Sequence, residues 1–179
     1  MKRGTFLFLL ALAVTLCAAS AAIAASTTLG IGISRGQEDS MAYSLNIKQR
    51  YDSWIANDAF ELAPLAEIGG HAWVSSHSSV DTVYGGFLAP GLRFTLYTNK
   101  NFQPYLEATV GGALNNESKF DKRELGSYLL LRTRGSVGVA FGEEARHRVQ
   151  GDYTHHSTGG ITKKNDGYNT YGISYGYSF

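Results

Sequence analysis

Cysteine, proline and long apolar runs are what this chain has least of. Its one cysteine, Cys17, lies in the first twenty-five residues. If those residues are removed, no disulfide can form, and stability must come from elsewhere. Three prolines in 179 residues leave few forced breaks in extended segments. After residue 25 no stretch approaches the roughly 18 apolar residues that a spanning helix needs, so any membrane crossing must be made by strands. An excess of one charge sign is also missing, with 16 Lys and Arg against 15 Asp and Glu. That balance gives no support for nucleic-acid binding.

The N-terminus reads as a cleaved secretory signal. Lys2 and Arg3 form a short positive region, Phe6 to Leu16 an apolar core, and Ala22-Ile23-Ala24 places small residues at the positions a signal peptidase reads. The expected cut follows Ala24, giving a signal over 1–24 and one domain over 25–179. The apolar run is too short to favour a retained anchor. Lipoprotein processing at Cys17 requires a small residue before it, and Leu16 is not small.

What the chain does have is glycine (21), tyrosine (11) and phenylalanine (9), a composition of strands and turns. Alternation of apolar and polar residues recurs eight times. Leu29, Ile31 and Ile33 open the series, and Met41 to Tyr51 continues it. Phe60 to Val74 is less regular and carries Pro64. Tyr84 to Leu96 and Leu106 to Leu114 follow, the latter with Tyr105, Glu107 and Thr109 on its opposite face. Leu131 to Phe141 opposes Arg132, Arg134 and Ser136. In Val149 to Ser157, residues Val149, Tyr153, His155 and Ser157 share one face. Asn169 to Phe179 ends the chain.

The expected fold is all-β, an eight-stranded antiparallel up-and-down transmembrane barrel. A soluble barrel of the lipocalin type has the same period. Two features favour the membrane. Aromatic or apolar residues occupy every second position from Tyr171 to Phe179, a pattern that resembles the C-terminal signal read by the outer-membrane assembly machinery. The links at 34–40, 74–82, 115–124 and 158–166 are mostly longer and polar, whereas 97–101 and 142–146 are short. The link at 52–58 is longer than this rule predicts. With both termini in the periplasm, the longer set faces the outside. Eight strands leave room only for side chains, and Lys48, Arg50, Glu107, Arg132, Arg134 and Asp152 are assigned inward. A porin or channel is therefore disfavoured, and function is expected on the outer wall or the loops.

Strand parity puts His155 and Ser157 on the outer face near the outer end of their strand, with His156 opposite. A serine becomes a nucleophile when a base takes its proton, and a histidine two positions away on the same face is a candidate base. From spacing alone, the plainer reading of two polar residues in the interfacial rim stands ahead of the catalytic one. A metal site is disfavoured, because His155 and His156 face opposite ways and no further ligands accompany them. Gly172-Ile173-Ser174-Tyr175-Gly176 matches the G-x-S-x-G pattern, but it lies within a strand with Ser174 facing the lumen, not at a strand-turn-helix elbow. His71 and His77 receive no role.

From Leu88 onward the chain resembles the lipid A 3-O-deacylases of Gram-negative outer membranes. The resemblance rests on Leu88-Ala89-Pro90, Gln103 to Ala108 with Gly111, Leu125-Gly126-Ser127, Tyr153 to Ile161, and Asn165-Asp166-Gly167. It covers about half of the expected mature chain, and the first four strands match in pattern. The resemblance implies His155 as general base, Ser157 as nucleophile, and an oxyanion hole from the Gly160 amide and the Asn165 side chain. It implies no cofactor and no metal. Two positions depart from the family pattern. Thr158 stands where the family has Asn, and Asn169 stands at the position of the triad acid.

The function expected on this resemblance is hydrolysis of the 3-O-linked acyl chain of lipid A in the outer membrane by a serine-histidine mechanism. Asn169 leaves three outcomes open: reduced activity, substitution of the acid by Asp166, or loss of catalysis. The alternative is a non-catalytic structural or adhesive barrel. The expected partners are lipid A or lipopolysaccharide in the outer leaflet and, through Phe179, the assembly machinery. The sequence is compatible with a homodimer.

Overall fold

The computed structural model describes residues 25–75 and 82–179. The expected signal over 1–24 and His77 lie outside the described residues. The chain runs through β1 (Ser26–Gly36), β2 (Met41–Arg50), the short β3 (Ile55–Ala56), β4 (Phe60–Val74), β5 (Thr82–Leu96) and β6 (Phe102–Asn115). A small hairpin of β7 (Lys119–Phe120) and β8 (Arg123–Glu124) precedes β9 (Leu129–Phe141), β10 (His147–Ser157) and β11 (Tyr168–Ser178). Eight of these strands pair in sequence, all antiparallel, and β1 pairs with β11 to close the barrel. Closure leaves the wall without an open edge. Among the described residues no helix is long and apolar enough to cross a membrane.

The polarity of the barrel is inverted relative to a soluble protein, and this separates the membrane reading from the lipocalin one. Outward positions carry Ile31, exposed at 58%, Val137 at 64%, and the similarly exposed Leu45, Leu106 and Ile173. So much exposed apolar wall is compatible with lipid, not water. Inward positions carry Lys48, Glu67, Arg93, Glu107, Arg132 and Arg134, all buried.

Those inward charges form two sets of ion pairs joined by hydrogen bonds of Gln150. Glu67 accepts from Arg132 at 3.1 Å and also from Arg134, and Arg134 reaches Asp152 at 2.7 Å. Glu107 accepts from Lys48 at 2.5 Å and from Arg93 Nε at 2.7 Å. Gln150 bridges the two halves: its carbonyl accepts from Lys48 at 3.1 Å and its amide donates to Asp152 at 2.6 Å. Each carboxylate thus meets at least one cation, the condition under which buried charge is tolerated. Arg50, at the lower mouth, pairs with Glu61 at 3.1 Å.

The outer end of the lumen is closed by apolar side chains instead. Trp73, Val83, Leu130 and Tyr168 from the wall meet Phe120 and Leu125 from the β7–β8 hairpin and its exit. The Trp73 and Tyr168 rings lie 4.5 Å apart and Phe120 meets Tyr168 edge-on at 5.2 Å. The hairpin is therefore held to the barrel by its buried face. The long link after β2 also acquires structure, since β3 pairs with Leu62 and Glu61 of β4. This folding back explains a link longer than the loop rule predicts.

Candidate active site

The site begins as a cross-strand relationship. In the β10–β11 register His155 lies directly opposite Asn169, and Tyr153 opposite Tyr171. Directly opposed side chains on one sheet face lie within contact distance. The face in question is the outer one, because Tyr153 and Tyr171 are exposed while Thr154 and Thr170 are buried.

His155 Nδ1 and Asn169 Oδ1 are 2.6 Å apart. An amide oxygen can only accept, so Nδ1 is the donor, and in the neutral imidazole the lone pair then falls on Nε2. That is the tautomer a general base needs. The Tyr153 hydroxyl donates to the same Oδ1 at 3.0 Å, using the second lone pair of the oxygen. Asn169 is fixed from its main chain as well, where its N–H donates to Gln37 Oε1 at 3.1 Å. Gly167 lies against the imidazole: a Cβ there would stand 3.2 Å from His155 Cε1, and φ is +64°.

Ser157 ends β10 and is buried, at 8% exposure. Its Oγ accepts from the Gly159 N–H at 3.4 Å, and no hydrogen bond joins it to His155 in this structure. Such bonds are often loose without substrate and tighten in the reacting complex. The Thr158 N–H donates to Asn165 Oδ1 at 2.8 Å. The acceptor end of the Asn165 amide is thereby engaged one residue from Ser157, and its NH₂ end has no protein acceptor among the described residues. Gly160, at φ +82°, is exposed with open space around it, and its N–H likewise has no protein acceptor among the described residues. Two free donors thus belong to the loop that follows Ser157.

Asp166 is turned elsewhere. Its carboxylate accepts from the Glu124 N–H at 2.7 Å and its own N–H donates to the Glu124 carbonyl at 3.2 Å. The partner of His155 is Asn169. His156 lies inside, edge-on to Trp73 at 4.9 Å and 5.3 Å from His71. His71 Nε2 meets Asn115 Oδ1 at 2.9 Å. Both are remote in orientation from the outer face. Ser174 is buried in the lumen and donates to Asp152. Among the described residues no group of three or more His, Cys, Asp or Glu is placed to hold a metal ion.

Several residues at the site were not singled out from the sequence. Tyr153 has a readable signal, its position two residues before His155 on the same face. Gln37, in the β1–β2 turn, has none, because its reach to Asn169 depends on barrel closure. Arg123 and Glu124 likewise meet the 158–167 loop only through the folded hairpin.

No curated protein matches the chain. Among solved structures, the crystal structure of the outer membrane enzyme PagL is similar, with a TM-score of 0.75 and 22% identity over 84% of this chain and 98% of that one. Neisserial surface protein A is similar at a TM-score of 0.50 and 12% identity, covering 86% and 95%. At these identities the likeness shows a shared barrel fold. A family model described as lipid A 3-O-deacylase (PagL) matches residues 39–178. That span holds seven of the eight barrel strands and every residue of the site just described, apart from the N-terminal neighbour Gln37. The chain belongs to the lipid A 3-O-deacylase (PagL) family.

Proposed function

We propose that this protein hydrolyses the 3-O-linked acyl chain of lipid A in the outer leaflet of the outer membrane, with Ser157 as nucleophile and His155 as base. The observation that carries this reading is the His155 Nδ1 to Asn169 Oδ1 hydrogen bond on the lipid-facing wall. In the neutral imidazole it places the lone pair on Nε2, on the strand face that Ser157 shares by parity.

In this mechanism Nε2 takes the Ser157 proton as Oγ attacks the ester carbonyl. The resulting oxyanion is met by the Gly160 N–H and the Asn165 NH₂. Collapse breaks the bond to the sugar oxygen, which takes the proton from Nε2, and the acyl group stays on Ser157. Water, deprotonated by His155, then releases the fatty acid and regenerates the serine. No cofactor enters any step. A wall-mounted site suits a substrate whose acyl chains never leave the bilayer.

Asn169 alters the rate more than the route. In serine proteases, replacing the triad acid by Asn costs about 10⁴ in turnover, with the wrong histidine tautomer as the cause. Here Oδ1, not the NH₂ group, meets Nδ1, so the tautomer is the productive one. What is missing is the charge that would stabilise the imidazolium. We therefore expect a working but slowed enzyme.

The exposed C-terminal Phe179, edge-on to Tyr177 at 5.2 Å, suits recognition by the outer-membrane assembly machinery. The second reading, a barrel without catalysis, is favoured by one observation, the absence of a His155–Ser157 hydrogen bond. Mass spectrometry of lipid A from cells expressing wild type or Ser157→Ala separates the two. Loss of one acyl chain in wild type alone supports the hydrolase. Identical lipid A from both strains, with folded protein in the membrane, supports the second.

A further inference from the structure

Asn165 is exposed and lies in a ten-residue loop without regular structure, a poor setting for a donor that must meet an oxyanion to within a fraction of an ångström. Its two neighbours in sequence remove that freedom. On one side Asp166 makes a two-way link to Glu124 of β8, through the Glu124 N–H to its carboxylate at 2.7 Å and from its own N–H to the Glu124 carbonyl at 3.2 Å. On the other side the Lys164 ammonium pairs with the Glu124 carboxylate. The Lys164 carbonyl accepts from Thr162 Oγ1 at 2.6 Å, and with that hydrogen spent the Thr162 oxygen accepts from the Thr158 hydroxyl at 3.1 Å.

Two further contacts close this arrangement. Arg123 donates to the carbonyls of Asp166 and Gly167 at 3.3 and 3.4 Å. Gly126 approaches so closely that a Cβ would stand 1.9 Å from the Lys164 carbonyl oxygen, and its φ of +79° is one that other residues rarely adopt. The hairpin that supplies these groups is not itself free, since Phe120 and Leu125 are anchored in the apolar plug of the lumen. Rigidity is thus passed from the buried plug, through the polar edge of the hairpin, to the loop.

The geometry points to Asp166 and the Arg123–Glu124 edge as positioning residues that hold the Asn165 amide against Thr158, beside Ser157. This rests on the deacylase reading above and extends it: Asp166 supports the oxyanion donor, not the histidine. None of these groups touches the reacting atoms.

The test uses the full chain in detergent micelles with purified lipid A, following released fatty acid by mass spectrometry. Folding of each variant is checked by its heat-sensitive migration on gels. Asn165→Ala is expected to lower kcat roughly 10²- to 10³-fold, as loss of one oxyanion donor does. Asp166→Ala is expected to lower kcat about 10- to 100-fold, the scale of a small misplacement, with KM changed less than about twofold. Asp166→Asn should restore most of the rate, because its amide oxygen still accepts from the Glu124 N–H. The double variant Asp166→Ala, Asn165→Ala should be no slower than Asn165→Ala alone. Gly126→Ala, which perturbs the same loop from the hairpin side, should reproduce the Asp166→Ala defect.

An unchanged kcat in folded Asp166→Ala overturns the inference while leaving the deacylase reading intact. So does a double variant whose losses multiply, or an Asn165→Ala variant as fast as wild type. Wild type that releases no more fatty acid than Ser157→Ala overturns the deacylase reading, and this inference with it.

Discussion

His155 meets Asn169 across the β10–β11 pair with Nδ1 and Oδ1 2.6 Å apart. A neutral amide therefore orients the imidazole and supplies it no charge. Replacing Asn169 by Glu should raise turnover on lipid A roughly tenfold or more at neutral pH, because an opposite charge beside a histidine stabilises its protonated form. The same variant should lose activity on the acid side at higher pH than wild type does, since its base is protonated sooner. A pH–rate profile of both proteins reads the two effects together. Equal profiles would sink this account of Asn169.

Tyr153 shares the Asn169 oxygen with His155, at 3.0 Å. Tyr153→Phe removes one of the two donors that select Oδ1 over the NH₂ group, so the amide can turn and present the wrong end to Nδ1. Turnover should fall by roughly fivefold, the scale of one hydrogen bond. In the Asn169→Glu background the effect should shrink, because both carboxylate oxygens accept. Steady-state rates of the four proteins in that cycle decide it.

Glu67 has no exposed surface and receives both Arg132 and Arg134. Glu67→Ala leaves two buried guanidinium groups short of a partner, a change expected to cost about 3–5 kcal/mol. Urea unfolding of the barrel in lipid vesicles would measure it. A loss under about 1 kcal/mol would mean that water or Asp152 compensates.

Val137 stands on the outer wall near the middle of β9. Val137→Arg should destabilise the barrel by about 2–4 kcal/mol in a bilayer if the site lies near its midplane. In the same unfolding experiment Lys122→Ala, on the exposed tip of the β7–β8 hairpin, should be neutral. Equal stability of Val137→Arg and wild type would contradict the assignment of this wall to lipid.

Lys164 first, and then Lys119, hold the Glu124 carboxyl below its ordinary value of 4.5 by hydrogen bonding to it. A depressed value means that the ion pairs favour the latched loop above the ordinary carboxylate value and are lost as pH falls through the lowered one. The pairs are thus intact from neutral pH to about pH 5, and any loss of activity in that range has another source. An NMR titration of Glu124 in micelles should show a midpoint below 4.5 that Lys164→Ala moves upward. Added salt should do the same, since exposed pairs are screened.

Much of the barrel was legible before folding. The irregular third segment was read over Phe60 to Val74 and forms a strand with those bounds, because its alternation survives Pro64, which sits where the ladder tolerates a missing N–H. The shared outward face of His155 and Asn169 followed from period-two parity along each strand. The His155–Asn169 register did not follow, because it depends on how many residues the 158–167 loop takes up. Asp166 shows the limit most clearly. Its carboxylate looked available to His155 in one dimension, yet a hairpin more than forty residues earlier in the chain takes it.

Every strand of this wall is written in two chemistries on alternate residues. Along β10, Gln150 and Asp152 answer to the charged lumen and His156 to its aromatic outer end, while Val149, Tyr153 and His155 stand on the outer face. The two sets share a backbone and almost no neighbours. The outer face can therefore be substituted without disturbing the ion pairs inside the barrel. The same partition sets a direction for engineering: substrate preference should be sought on odd-numbered positions of β10 and β11, and stability on the even ones.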